Sequence, residues 1–306
     1  MTLSEDVRAE LAAIEPRKAC CRLAELSALV RAAGSVHLLG GGRIALHLEV
    51  ASPAVARRAF SLLRAYGVDA EIRTYRRRSF DGATRFQIHL GDDPRAVQSL
   101  NEAGILGARL EPLERPPERL VVRSCCRAAY LRGALLASGS VSGPRSAHVE
   151  IRTPGREGAN LLAELARRDR FRLAVAERRG HALAYAKGSE TIADLLAFVG
   201  AHDAALRFGE RAVVAATRGR ANRLANADQA NIGRTSRAAE AQLRAIERLR
   251  RSGRLEHLAS DLRALADLRV RHPTLSLREL AARSRPPATK AAVQRRLAKL
   301  RRLAEE

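Results

Sequence analysis

No run in the 306 residues approaches the roughly 18 consecutive apolar positions that a membrane helix needs, so a spanning segment is not expected. The opening MTLSEDVRAELAAIE carries acids where a signal peptide would carry a basic and then an apolar segment, which predicts a cytoplasmic protein. Cysteine is sparse. Its four copies form two vicinal pairs, Cys20-Cys21 and Cys125-Cys126, with no C-x-x-C and no neighbouring Cys/His set of zinc spacing. They read as reduced, buried thiols, with a redox switch as the alternative. The eight histidines are scattered without metal spacing, and no Ser/His/Asp set can be placed together. LLGGGRI near Gly40 lacks the G-x-G-x-x-G frame and a following helix start, so it reads as a strand-joining turn rather than a nucleotide loop. No catalytic residue, metal ligand or cofactor is expected from these patterns.

Acidic charge is also scarce: 55 Lys and Arg stand against 33 Asp and Glu, a formal net charge of +22. Residues 211–306 hold 23 of the bases and only 9 of the acids, a net +14. A basic C-terminal third implies a polyanionic partner, most often nucleic acid. An arginine-rich solvated surface is the bland alternative.

What is present is a repeat. CCRLAELSALVRAAGSV (20–36) returns 105 residues later as CCRAAYLRGALLASGSV (125–141), with Cys20, Cys21, Arg22, Ala24, Leu26, Ala32, Gly34, Ser35 and Val36 all recurring. Strands of matching pattern follow, ALHLEV from Ala45 and AHVEI from Ala147. In them Leu46, Leu48 and Val50, or Val149 and Ile151, face one way, while His47 and Glu49, or His148 and Glu150, face the other. Each copy continues with a helix, two alternating strands and a short closing helix, giving the order αβαββα twice over. LEPLERPPERL, with three prolines, reads as an extended linker between the copies. Beyond GAHDA (200–204) the alternation stops and the chain reads as helical throughout. The predicted division is 1–107 for the first repeat, 108–205 for the linker and second repeat, 206–254 for a helical linker, and 255–306 for a terminal helical domain.

A helix ending at glycine, followed by a strand and present twice, resembles the LAGLIDADG homing endonucleases. In that family the two helices pack at a pseudo-twofold axis, their glycines permit close approach, and the acid before each glycine holds the metal that cuts DNA. Here the matching stretches are LSALVRAAG (26–34) and LRGALLASG (131–139), and Ala33 and Ser138 occupy the acid positions. Neither supplies the charged oxygen that Mg²⁺ requires, and without the ion nothing offsets charge developing on a scissile phosphate. The resemblance therefore implies close packing through Gly34 and Gly139 and no cleavage. Arg73, Tyr75 and Arg77 on one strand face favour contact with DNA; Glu49 and Glu150 oppose it.

The tail SLRELAARSRPPATKAAVQRRLAKLRRL (276–303) reads as a helix-turn-helix. Ser276 and Glu279 form an S-x-x-E capping box, Leu277, Leu280 and Ala281 the apolar face, Pro286 and Pro287 the break, and Thr289 the cap of a second helix. On that helix Val293, Leu297, Leu300 and Ala304 recur at helical spacing and should face inward. A recognition helix reads bases mainly from its first turns. Lys290, Gln294 and Arg295 are therefore the base-contact candidates, since Gln can pair with adenine and Arg or Lys with guanine. Arg285, Arg296 and Lys299 suit phosphate. LEHLASDLRALADLRV (255–270) upstream offers a third helix with Leu255, Leu258, Leu262 and Leu265 on one face.

Together these stretches resemble the WhiA family of bacterial sporulation and cell-division regulators, which joins a degenerate LAGLIDADG domain to a C-terminal helix-turn-helix. The specific pieces are the two CCR helices, NRLANADQANIGRT (222–235) and PPATKAAV (286–293). The resemblance implies a sequence-specific transcription regulator acting on double-stranded DNA at the nucleoid, with another transcription factor or RNA polymerase as a further partner. It implies that Thr289, Lys290 and Val293 begin the recognition helix. Arg223, Asn226 and Asn231 match the family in the linker segment, where phosphate contact and helix capping are the two roles open to the asparagines. The rival readings are a nonspecific DNA anchor whose duplicated domain docks a protein, and a residual metal-dependent nuclease using Glu49 or Glu150.

Overall fold

The computed structural model describes residues 2–40, 43–76, 83–91, 93–143 and 146–306. The chain divides into two compact units, Met1–Ala216 and Thr217–Glu306.

The first unit opens with helix α1 (Leu3–Ala12), begun by a capping box in which Thr2 accepts from the Glu5 amide and the Glu5 carboxylate accepts from the Thr2 amide. The first repeat then runs α2 (Ala19–Ala33), β1 (Gly34–Gly40), β2 (Arg43–Val50), α3 (Pro53–Arg64), β3 (Glu71–Arg76), β4 (Thr84–Leu90) and α4 (Pro94–Glu102). The second runs α5 (Ser124–Ser138), β5 (Gly139–Ser142), β6 (His148–Thr153), α6 (Arg156–Arg168), β7 (Ala174–Arg178), β8 (His181–Lys187) and α7 (Ser189–Val199). The duplicated α+β class stands, but each repeat is αββαββα, with one strand more than the αβαββα order read from the pattern. The added strands, β1 and β5, leave the helix at its terminal glycine without a loop. Both are edge strands. In β1 the exposure does not alternate, Leu38 and Leu39 both being about half exposed, and β5 alternates but is only four residues long with one apolar side chain, Val141, so neither gives a readable period-2 signal.

The sheets have equivalent antiparallel orders, β1-β2-β4-β3 and β5-β6-β8-β7. Gly34 pairs with Leu48 and Gly139 with Ile151, so the same register opens both. Leu46, Leu48 and Val50, and Val149 and Ile151, are buried as the alternation predicts. Gly40, at a positive φ of 83°, pairs with Arg43 of the antiparallel β2; Gly41 and Gly42, where the strand-joining turn is expected, lie outside the described residues. Arg77, one of the candidate DNA-facing residues, lies outside the described residues. Its companion Arg73 is paired with Glu71 at 2.8 Å.

Helices α2 and α5 pack against each other at the centre of this unit. Among the glycines of the two helices and their ends, the one whose nearest atoms belong to the partner helix is Gly133 rather than Gly34 or Gly139. A Cβ on Gly133 would lie 2.4 Å from the Glu25 carbonyl of α2 and 3.0 Å from the Ala28 Cβ. Ala28 is the residue equivalent to Gly133 in the first copy, so two small residues face each other across the axis. Added Cβ atoms on Gly34 and Gly139 would instead strike Val30 and Leu135 of their own helices. Those glycines serve the abrupt helix-to-strand junction.

Beside this contact lies a buried ionic triad. The Glu25 carboxylate, fully buried on α2, accepts from Arg58 Nε of α3 at 2.7 Å and from Arg132 Nε of α5 at 2.8 Å. Arg132 also donates to the Val199 carbonyl at 3.1 Å. Both carboxylate oxygens are engaged, which is the condition for tolerating a buried charge.

Helix α8 spans His202–Arg251 without a break, and the division between the units falls within it. Its first turn is satisfied by Glu10, which accepts from the Asp203 and Ala204 amides at 2.8 and 2.9 Å. The second unit holds the rest of α8, a short 3₁₀ turn (Arg254–His257), α9 (Ser260–Arg271), α10 (Leu277–Arg283) and α11 (Lys290–Glu305). Its core joins Ile246 and Leu249 of α8 to Leu255, Leu262, Leu265, Leu280, Val293, Leu297 and Leu300. No helix among the described residues is long and apolar enough to cross a membrane.

Candidate nucleic-acid interface

Helix α10 begins at the Ser276–Glu279 capping box, both halves of which are formed. Helix α11 begins at Thr289, whose hydroxyl accepts from the Ala292 amide at 3.2 Å. Between them the Arg285-Pro286 bond is cis. Val293, Leu297 and Leu300 anchor α11 inward, and Ala304 is half-buried against the same core.

With that face fixed, the other side of α11 is set by the helical period. Thr289, Lys290, Gln294, Arg295 and Lys299 are exposed. Lys290, Gln294, Arg295 and Lys299 have no hydrogen-bond or ion-pair partner among the described residues. Lys290 and Gln294, four apart, share one stripe, and Arg295 and Lys299 share the next. Arg285 is exposed in the turn before the helix. Arg296 is placed differently. It is half-buried and bonded through Nε to Asp261 of α9 at 2.9 Å, so it braces the bundle instead of standing free for phosphate.

Sequence reasoning missed the side chain that braces this unit, Arg269 of α9, only 2 % exposed. It donates to Gln242 Oε1 of α8 at 2.9 Å and to the Leu275 carbonyl at 2.6 Å, tying the long helix and the approach to α10 to one guanidinium. Burial lowers its pKa. Nothing in the local pattern distinguishes it from the exposed arginines around it.

Arg223, Asn226 and Asn231 are exposed on α8, well inside the helix. Helix capping is thereby removed as a role for either asparagine. Asn231 Oδ1 accepts from Arg234 at 2.5 Å.

In the first unit, Ala33 and Ser138 occupy the ends of α2 and α5. The Ser138 hydroxyl donates to the Arg152 carbonyl at 2.6 Å. Glu49 is exposed on β2, and Glu150 is held between His148 at 3.3 Å and Arg152 at 3.5 Å. Glu25, the one acid within α2, is consumed by its two arginines. Among the described residues, carboxylates are thus not gathered where the homing endonucleases hold metal. The side chains among the described residues that are close enough to share an ion are at the opposite helix ends. Cys20, Cys21, Cys125 and Cys126 converge there with all four Sγ atoms within 4.8 Å of one another. Burial pushes the Cys21 thiol up to about 12 and raises that of Cys126 as well, so as free thiols both stay protonated at neutral pH.

Three family models cover most of the sequence: the WhiA N-terminal LAGLIDADG-like domain over residues 19–106, the WhiA LAGLIDADG-like domain over 127–218, and the WhiA C-terminal HTH domain over 221–304. A relative from Heliobacterium modesticaldum, named "Probable cell division protein WhiA", is 38 % identical over 307 aligned positions covering 100 % of this chain and 96 % of its own length. The chain belongs to the WhiA family. A relative of the same name from Symbiobacterium thermophilum is 37 % identical, with 100 % of this chain and 98 % of that protein covered. The crystal structure of full-length WhiA from Thermotoga maritima matches with a TM-score of 0.57 and 24 % identity, covering 100 % of this chain and 98 % of that one. It shares the fold. A WhiA-type helix-turn-helix on a duplicated LAGLIDADG-like scaffold is therefore the frame in which the exposed face of α11 sits.

Proposed function

We propose that the chain is a sequence-specific DNA-binding transcription regulator of sporulation or cell-division genes. Its base contacts come from Lys290, Gln294 and Arg295, and its backbone contacts from Thr289, Arg285 and Lys299. The observation that carries this is the first half of α11. Its inward side is locked by Val293 and Leu297, while the cations and amide of its outer side are exposed and unpaired where a recognition helix presents base-reading groups. Arg296 leaves the phosphate set because Asp261 holds it. Arg223 and Asn226 on the exposed stretch of α8 add phosphate contacts, with Asn231 positioning Arg234 beside them. The duplicated unit is not a nuclease, because Ala33 and Ser138 cannot hold a divalent metal. It is the surface for a protein partner, another transcription factor or RNA polymerase. Binding to chromosomal DNA makes the protein cytoplasmic and nucleoid-associated.

Selection of duplexes from a random pool at near-physiological salt tests the assignment. The full-length protein enriches a short motif, and the Lys290→Ala/Arg295→Ala variant loses that enrichment. Unchanged preference in the variant would remove these residues from the reading role. Equal affinity for unrelated duplexes with a steep salt dependence would make the protein a nonspecific anchor.

A further inference from the structure

Cys20 and Cys21 stand in the first turn of α2, and Cys125 and Cys126 at the equivalent positions of α5. Because the repeated helices pack against each other, the duplication carries two vicinal pairs to one point. All four Sγ atoms fall within 4.8 Å of one another, and the Cys21 thiol lies 3.5 Å from the Cys125 carbonyl that accepts from it. Cys21 and Cys126 are buried, while Cys20 and Cys125 reach solvent.

Four sulfurs about one centre are more than a disulfide uses. Neighbouring cysteines are poorly placed to pair with each other, since a trans peptide holds their Cα atoms about 3.8 Å apart, short of the roughly 4.4–6.8 Å that disulfides span. A tetrahedral thiolate site with metal–sulfur bonds of about 2.3 Å needs sulfurs about 3.8 Å apart, so the cluster has to close by at most about 1 Å. Iron–sulfur clusters spread their thiolates over several iron atoms and need a wider cradle. Charge agrees with a single ion. Four thiolates on a divalent cation leave a net of about −2, and this centre would sit on the positive ends of two helices. Neither helix has an acid in its first turn or a side-chain cap on its free amides, and Lys18 and Arg123 stand at the two N-cap positions.

We propose that Cys20, Cys21, Cys125 and Cys126 form a closed tetrahedral site for one zinc ion that clamps α2 to α5. With four protein ligands no position is open to water or substrate, so the ion is structural. It is also separate from the position at which homing endonucleases hold metal, because about twelve residues of helix, roughly 18 Å, separate Cys21 from the end of α2. The solvent-reaching Cys20 and Cys125 provide the route of entry.

The test uses full-length protein, purified under reducing conditions, stripped with a chelator and titrated with Co²⁺ and then Zn²⁺. One cobalt per chain is expected, with thiolate-to-cobalt charge transfer and the intense visible bands of tetrahedral coordination, both abolished by one equivalent of zinc. Zinc should raise the Tm of the stripped protein. Cys125→Ser, at the open edge, should weaken zinc binding by at least about 100-fold and remove the Tm response, while leaving the metal-free Tm unchanged. A weak octahedral cobalt spectrum, or no zinc-dependent Tm change in the wild-type chain, overturns the proposal. So does a reduced protein that takes up no metal yet forms an α2–α5 disulfide under mild oxidant, the signature of a redox switch. The wild-type readouts do not depend on any variant folding.

Discussion

The two compact units use the same residue, arginine, in opposite ways. In Met1–Ala216 the informative guanidiniums are buried and spoken for: Arg58 and Arg132 on Glu25, and Arg127 on Asp169 at 2.5 Å. In Thr217–Glu306 one arginine, Arg269, is buried as a brace and another, Arg296, is held by Asp261, while Arg223, Arg285 and Arg295 are exposed on the surface. The first unit is a duplicated LAGLIDADG-like scaffold whose buried guanidiniums are all ion-paired, although its surface also carries exposed arginines such as Arg57 and Arg172. The second leaves its charges outside, where they can meet phosphate and bases. A net charge of +22 is therefore not one property of this chain. The larger share, +14, lies in residues 211–306.

The comparison breaks most visibly at Glu25. Glu25→Ala strands two buried arginines and should cost about 3–5 kcal/mol, read as a fall in Tm or in the denaturant midpoint of the first unit. A change below about 1 kcal/mol would mean that water reaches the triad. The Lys290→Ala/Arg295→Ala variant should behave in the opposite sense. Its stability should stay within about 0.5 kcal/mol of wild type, as for surface sites. Discrimination between the selected motif and a scrambled duplex should fall by about 1–3 kcal/mol for each base-reading side chain removed. Competition binding and thermal unfolding on the same preparation separate the two.

A smaller effect follows from pH. The Arg127 guanidinium, with help from the Ser124 hydroxyl, holds Asp169 below the ordinary aspartate value near 3.8. A carboxylate whose pKa is depressed by folding contributes stability that is fully present above its unfolded pKa and is lost as pH falls through the folded one. Stability should therefore decline with acid below about pH 4, and Asp169→Asn should flatten that limb in urea titrations across the range while lowering stability at neutral pH. The smallest effect belongs to the exposed length of α8. A Cβ on Gly233 meets nothing within 4 Å, so Gly233→Ala should raise stability by about 0.5–1 kcal/mol. A loss instead would show that this stretch of α8 does not persist as helix in solution.

Much of this architecture is legible along the chain. The nine-residue identity of the CCR helices marks the duplication, and the alternation at Leu46–Val50 and Val149–Ile151 gives the buried strand faces. The Ser276–Glu279 box and Thr289 mark both helix starts of the tail, and Val293, Leu297 and Leu300 its inward face. The Thr2–Glu5 box of α1 carries the same kind of signal, whereas the strands that begin at Gly34 and Gly139 have no turn to announce them. Of the proposed DNA-contacting residues, exposure on α11 follows from helical period alone. That Arg296 is turned toward Asp261 does not, because its partner is on another helix, 35 residues earlier.

Period, caps, repeat length and the local density of charge depend on near neighbours. Each is set by backbone geometry over a few residues, so it can be read along the chain. Tertiary structure decided what depends on which helices meet. It chose Gly133 over Gly34 and Gly139 as the close contact between α2 and α5, buried Glu25 between two arginines from different elements, and drew four cysteines from two distant pairs to within 4.8 Å. Those outcomes are set by the distance between helix axes and the rotation of each helix about its own, which the packing of the whole core fixes and no local stretch encodes.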